Sequence, residues 1–541
     1  MQIIECVPNI SEGKNKSIID AVSESVSKVS GVKLLDVDSG AATNRTVFTF
    51  AGEPEKVLIA AFNLIETASK LIDMKNHKGE HSRIGATDVC PLIPVSDISI
   101  EETVLLSKKL AEKVGTELKI PVYLYEYSAT NPQRKNLAEI RKGEYEGLSK
   151  KIKLSEWKPD YGPIEFNSKS GATVIGVRDF LIAYNVNLNT TDQKLATEIA
   201  LRIREQGRAK KDSDGNILKD ENGESLKIPG KLKNVKAVGW FIDEYKKAQV
   251  SINLTNYKIT PPHVAFEECV NEATQLGLRV TGSELIGLIP KDAMLEAGKY
   301  YLERQGKSPG MPEKYLIQIA IQSLGLSELQ KFDPNKKIIE NVLEDNVESL
   351  NNLTIREFVD ELSTDSPAPG GGSASALSGS IAAGLVAMVA NLTVGKKNYE
   401  NVFDKMTQVA VNAQKLKDDL LLLIDEDTKA FNKVMDAIKF PKKTDEEIII
   451  RNKKIEETNL YASEVPLITM EKSFQVLQLA KIVKEKGNKN SLSDSGVAIL
   501  LSKSAIEGAA MNVEVNLKGL PESEKKKNIQ NKMNKILSEI K

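Results

Sequence analysis

Asp333-Pro334-Asn335-Lys336-Lys337 is where this chain changes character. Upstream of it, short runs alternate apolar and polar residues and read as strands: Ile3 to Val7, Val32 to Asp38, Arg45 to Phe50, Val122 to Tyr125, Phe180 to Asn187 and Ala248 to Leu254. Helical periodicity lies between them, through about Val29 and over Pro54 to Leu71. Downstream, strand-like alternation gives way to helical spacing as far as Lys541, broken by Gly, Pro and Asn turns. The runs ending at Asn187 and Leu254 are each followed by a Thr-containing turn and a helical pattern, which argues for two subdomains of related layout. The expected fold is therefore multidomain: two related α/β subdomains (1–175 and 176–326), a linker (327–350) and an all-α helical bundle (351–541).

A chain of 541 residues exceeds one ordinary core. Lys+Arg (74) and Asp+Glu (75) nearly cancel, so no global field favours nucleic acid, and none is expected as a partner. Cys6, Cys90 and Cys269 are odd in number and far apart without CxxC spacing, which argues against a disulfide framework or a thiolate metal site and for a reducing, cytoplasmic setting. The amino-terminal residues carry no secretory pattern. The apolar run Ile381 to Ala390 is too short to span a bilayer, so no membrane partner is expected.

Three histidines occur in the chain, and two fall within Asn76-His77-Lys78-Gly79-Glu80-His81-Ser82-Arg83-Ile84-Gly85-Ala86-Thr87-Asp88. Scarce imidazoles gathered with Lys, Glu, Arg and Asp suit proton transfer near neutral pH, although a solvated loop has the same composition. The glycines favour a loop over a metal-binding helix, and no metal is expected. Thr43-Asn44-Arg45 and Arg204-Glu205-Gln206-Gly207-Arg208 add arginines able to clamp carboxylates, or to form surface ion pairs.

The run Glu5-Cys6-Val7-Pro8-Asn9-Ile10-Ser11-Glu12-Gly13, with Leu35-Asp36-Val37-Asp38, Thr43-Asn44-Arg45-Thr46-Val47 and the histidine loop, resembles glutamate formimidoyltransferases over roughly the first 325 residues. The resemblance implies that His81 is the catalytic histidine. It also implies folate contacts from Gly162-Pro163-Ile164-Glu165-Phe166-Asn167-Ser168-Lys169-Ser170-Gly171 and from Gly230-Lys231-Leu232-Lys233-Asn234-Val235-Lys236-Ala237-Val238-Gly239, with Asn44, Arg45 and Arg208 as further substrate contacts. Between these stretches the charged segment 209–229 reads as an exposed hairpin insertion.

In the helical half, Ser366-Pro367-Ala368-Pro369-Gly370-Gly371-Gly372-Ser373 leads into a helix of small residues. Ser373 is expected to cap it, leaving Gly370 to Ser373 with free N–H groups for an anion or carbonyl. Further on, Leu420, Ile424, Phe431, Val434 and Ile438 form an apolar stripe. Asp427 falls on that stripe, where a carboxylate must be paired or used, whereas Asp425 and Glu426 are expected to face solvent. Together with Asn488 to Asp494 and Asn512 to Leu517, these motifs resemble formimidoyltetrahydrofolate cyclodeaminases, and the resemblance implies that Asp427 is the catalytic carboxylate and Asp494 a site residue.

Both halves in this order are similar to the bifunctional formimidoyltransferase-cyclodeaminase family. That implies formiminoglutamate and polyglutamylated tetrahydrofolate as substrates, no metal, and a homo-oligomeric ring of dimers. Two other readings stay open: a formyl donor joined to cyclohydrolase action, and a non-catalytic scaffold.

Overall fold

The computed structural model describes residues 2–41, 43–79, 82–213, 215–220, 223, 225–343 and 349–540. By contact the chain divides into two compact units, Met1–Ala293 with Leu324–Asp345, and Met294–Ser323 with Asn346–Lys541.

The first unit holds two principal sheets. Strands β1 (Ile3–Cys6), β2 (Asn9–Ile10), β3 (Val32–Gly40), β4 (Arg45–Gly52), β5 (Thr87–Ser96), β6 (Val122–Glu126) and β7 (Thr173–Val177) form a seven-stranded sheet. β1 and β2 lie between β4 and β5, antiparallel to both, while β7 runs parallel to β5 and β6. Helices α1 (Lys16–Ser27), α2 (Pro54–Leu71) and α3 (Ile100–Glu117) supply apolar faces to one core with Ile4, Cys6, Phe48 and Phe50. The short helices α4 (Leu137–Arg141) and α5 (Glu144–Lys151) place Ile140 and Leu148 against Tyr123, Tyr125 and Val174 on the opposite face.

β7 belongs to the first sheet, so the division between the sheets falls after Val177 and not between residues 175 and 176. The second sheet has the order β11-β12-β8-β13, from β8 (Ile182–Leu188), β11 (Val235–Ile242), β12 (Lys247–Leu254) and β13 (Val280–Ile286), all antiparallel. Helices α6 (Gln193–Ile203) and α7 (Pro262–Gln275) pack on it. The segment 209–229 is largely exposed and opens and closes on the two-stranded pair β9 (Arg208–Ala209) and β10 (Lys227–Ile228).

Helices α8 (Lys291–Arg304) and α9 (Glu313–Ser323) precede α10 (Pro334–Lys337), α11 (Ile339–Leu343) and α12 (Ile355–Leu362). Residues 294–323 count with the helical unit, whereas the composition of the sequence placed them before the break. Contacts explain the difference: Gly310, between α8 and α9, lies so close to Ala410 that a Cβ there would come within 2.5 Å of its methyl, and the Asn391 side-chain amide donates to the Gly310 carbonyl at 2.7 Å. The rest of the unit is α13 (Gly371–Asn391), α14 (Phe403–Ile438), α15 (Asp445–Lys486), α16 (Leu492–Leu517) and α17 (Glu524–Ile540). Small residues on α13 allow close approach, and its Ala382, Ala383, Val386 and Ala390 meet Leu420, Val465 and Val476 in one core. At 21 residues, α13 is longer than the apolar run alone suggested, and by length and composition it is apolar enough to cross a membrane; it is mostly buried inside the bundle.

Candidate functional site

The histidine loop is held by side-chain bonds. Asn44 takes the left-handed conformation (φ 47°), which Asn tolerates, and three of its polar atoms tie two other segments together. Oδ1 accepts from Gly13 N at 3.0 Å, Nδ2 donates to the Lys78 carbonyl at 2.9 Å, and its own carbonyl lies 2.9 Å from His77 Nε2. Arg83 Nε donates to His77 Nδ1 at 3.1 Å, which fixes the Nε2–H tautomer. The Arg83 guanidinium forks to Glu144 and Glu146, both at 2.7 Å, and these carboxylates hold its pKa up against the cost of burial. Asp88 accepts from Ile84 N at 2.9 Å and pairs with Arg141. Arg45 Nε donates to Asn9 Oδ1 at 2.6 Å; burial and then the Arg141 charge lower its pKa. Asn44, Arg45, His77, Arg83 and Asp88 line one small cavity. His81, expected to be catalytic, lies outside the described residues.

The first expected folate stretch meets this loop. Lys169 O accepts from Met74 N at 2.9 Å and Ser170 O from Ala86 N at 2.8 Å, and Gly85 and Gly171 bridge so closely that a Cβ on either would strike the other segment. Asn167 Oδ1 turns the chain by accepting from Lys169 N and Ser170 N, and Tyr145 OH donates to Ser168 O at 2.6 Å with its ring on Phe166. Lys169 Nζ is taken by the Lys70 carbonyl at 2.7 Å, while Ile164 is exposed.

The second stretch is divided in its duties. Lys231 pairs with Glu268 and Glu272, Val235 and Ala237 enter the core, and Gly239 lies where a Cβ would strike α6. Lys236 and Val238 turn outward, and the Lys236 charge is felt by Glu126 at the end of β6, so this stretch approaches the first sheet. Arg208, expected as a substrate contact, forms a surface pair with Glu198 at 2.7 Å.

In the helical unit, the Asp427 carboxylate sits against the first turn of α13. Ser373 Oγ shares its proton between Ile424 O at 3.0 Å and Asp427 Oδ2 at 3.1 Å, and the Ser373 N–H also reaches the carboxylate. A Cβ on Gly372 would collide with it. Burial raises the Asp427 pKa, and the two Ser373 bonds hold it partly down.

Two expectations need correction here. Gly370, and not Ser373, is the N-cap position of α13; Ser373 lies inside the first turn and is buried. Asp425 and Glu426 do not point to solvent: Asp425 accepts from Ser349 Oγ and Leu350 N, both at 2.7 Å, and Glu426 accepts from Tyr461 OH. Asp494 is in the first turn of α16, while Asn512 of the same helix approaches Gly371. Eighteen residues of helix put roughly 27 Å between Asp494 and Asn512.

Sequence reasoning passed over Glu5, an acid inside the apolar opening strand. The signal was available, since Ile3, Ile4 and Cys6 around it are all core residues.

The chain matches family models described as formiminotransferase domain, N-terminal subdomain (residues 3–178), formiminotransferase domain (183–344) and formiminotransferase-cyclodeaminase (354–535). It is 41% identical over 542 residues to a mouse formimidoyltransferase-cyclodeaminase, covering 100% of this chain and 97% of that protein. A glutamate formimidoyltransferase of Streptococcus pyogenes serotype M1 is 41% identical over 302 residues (56% of this chain, 94% of that protein). A methenyltetrahydrofolate cyclohydrolase of Methylorubrum extorquens is 46% identical over 169 residues (31% of this chain, 81% of that protein).

Proposed function

This chain belongs to the formiminotransferase-cyclodeaminase family, and from that membership we propose how its two halves divide the work. The protein is a bifunctional enzyme that transfers the formimino group of N-formimino-L-glutamate to tetrahydrofolate, then closes 5-formiminotetrahydrofolate to 5,10-methenyltetrahydrofolate with loss of ammonia. What carries the reading is the likeness over the full length to enzymes with both names, joined to an acid seated against a helix N-terminus in the helical half.

In the first half, N5 of tetrahydrofolate attacks the formimino carbon. His81 takes the N5 proton and returns it to the departing glutamate nitrogen; such transfer contributes about 10²–10⁴-fold. Arg45, held by Asn9, supplies charge for a substrate carboxylate. In the second half, N10 attacks the same carbon, Asp427 accepts its proton and returns it to the formimino nitrogen, and ammonia leaves with the electrons of its carbon–nitrogen bond. The carboxylate then faces the cationic methenyl product. Raised by burial, Asp427 is a stronger base than an exposed aspartate.

A polyglutamate tail would tether the intermediate between the sites. The enzyme assembles as a ring of dimers: Val497, Leu500, Met511 and Val515 form an exposed apolar stripe on α16 that a second copy would cover. Its three cysteines are free and buried, which supports a cytoplasmic location.

The test follows formiminoglutamate loss, methenyl-folate absorbance and ammonia together in the full chain. His81→Ala should abolish all three, and Asp427→Ala should stop ammonia while formimino-folate accumulates. A formyl donor joined to cyclohydrolase action would instead turn over formylglutamate without ammonia.

A further inference from the structure

Glu5 sits mid-sheet in β1, opposite Ala51 of β4 on one side and Ile93 of β5 on the other. Its neighbours Ile4 and Cys6 enter the helix-covered core, so strand alternation turns Glu5 to the other face. Asn9 and Arg45 share that face, about 13 Å along the strand by its rise per residue. Glu5 is only 5% exposed. The charge acting on it is Arg178, just past β7, whose Nη1 donates to the Asp179 carbonyl.

Burying a carboxyl group in a strand is costly unless the group is paired or used. At one end of this face the Gly162 to Gly171 loop bridges to Gly85; at the other, Lys236 of β11 approaches Glu126. A ligand contacting both stretches would cross Glu5.

We infer that Glu5 is a further substrate-binding residue of the transferase half, its carboxylate receiving a planar N–C–N edge that presents two parallel N–H donors. A carboxylate accepts such an edge bidentately, as it does a guanidinium. Two groups in the proposed reaction have this chemistry: the amidine of the formimino donor, and the aminopyrimidinone edge of the folate (N3–H and the 2-amino group). The inference rests on this half being the transferase. If the amidine is the group bound, Glu5 also explains selection against a formyl donor, which lacks the second N–H.

The test compares the full chain with Glu5→Gln and Glu5→Asp, measuring kcat and KM separately for formiminoglutamate, formylglutamate and tetrahydrofolate, with thermal unfolding alongside. Losing one charge-assisted acceptor should raise one KM about tenfold or more, with kcat changing less. A rise for formiminoglutamate alone assigns the amidine; a rise for tetrahydrofolate with either donor assigns the pterin edge. Glu5→Asp, which keeps the charge but withdraws it by one methylene, must raise the same KM. Folded variants whose KM values all stay within about twofold of the parent overturn the inference, as does a fall confined to kcat and melting temperature. Failure of the parent to use formiminoglutamate would sink the transferase reading instead, and calorimetric binding of tetrahydrofolate to parent and Glu5→Gln separates the two failures.

Discussion

The Asp427 carboxylate occupies the space in which residue 372 would carry a Cβ, so Gly372 and Asp427 fit together only because one of them has no side chain. The approach lets the first turn of α13 offer the acid two donors from Ser373, its backbone N–H and its side-chain hydroxyl. Gly372→Ala should therefore displace the carboxylate or push back the helix. Overpacking of this kind costs about 1–3 kcal/mol, so the bundle should still fold. Ammonia release should fall about 100-fold or more, as misplacement of a reacting group implies, while formimino transfer continues. Assaying each half-reaction with its own substrate checks this; equal loss in both halves would sink it.

Ser373 is also the natural handle on the acid's titration. Burial raises the Asp427 pKa and the Ser373 hydroxyl opposes that rise. A base must be ionised to accept a proton, so activity is lost as pH falls through its pKa. Removing a bond that stabilises the ionised form raises the pKa further. In Ser373→Ala the acid limb of cyclodeaminase kcat/KM should move to higher pH, with activity near the alkaline plateau less affected. A pH profile of ammonia release from 5-formiminotetrahydrofolate reads the shift; an unmoved limb would count against Asp427 as the base.

How much of this was legible varied with the kind of signal. α2 could be read from Pro54 to Leu71 because Pro stands at its start and one apolar face runs its length. β5 could not, because Pro91 and Pro94 interrupt what proves to be a central strand, where proline is not expected. β7 escaped because a parallel strand is recruited from a distant part of the chain. The helical stripe put Asp427 on the face that α13 covers. It misplaced Asp425 and Glu426, since a single wheel assumes one covered face, whereas α14 has neighbours at Ser349 and Leu350, at Tyr461 and at Ser373. The Arg83 fork was illegible for a similar reason: Glu144 and Glu146 reach it across more than sixty residues.

That fork gives a prediction of its own. Arg83 is nearly buried, and it fixes both the His77 tautomer and α5. Arg83→Lys keeps a charge but cannot serve His77 and two carboxylates in one plane. Transferase activity should drop by about tenfold or more, in line with the loss of a buried charged contact, with cyclodeaminase activity kept. Ring-nitrogen NMR of His77 should show the Nε2–H tautomer in the parent and a mixture in the variant; an unchanged spectrum would refute the tautomer lock.

Glu5 yields a thermodynamic prediction independent of any substrate. Burial lifts its carboxyl group from the ordinary 4.5 up to about 7, with the Arg178 charge only partly opposing. Below pH 4.5 the group is protonated whether the chain is folded or not, and contributes no pH dependence. Between there and about pH 7 the unfolded chain has given up the proton and the folded one still holds it, so stability falls as pH rises. Above about 7 both forms are ionised, and the penalty is fully present. Glu5→Gln has no proton to lose. Its stability relative to the parent should therefore improve from pH 5 to pH 8, by at most about 3 kcal/mol for a shift of this size. Urea unfolding of the first unit's transition at several pH values measures the difference. A variant that runs parallel to the parent across that range would mean the carboxyl group titrates as if in water, and the buried acid proposed for the transferase half would lose its physical basis.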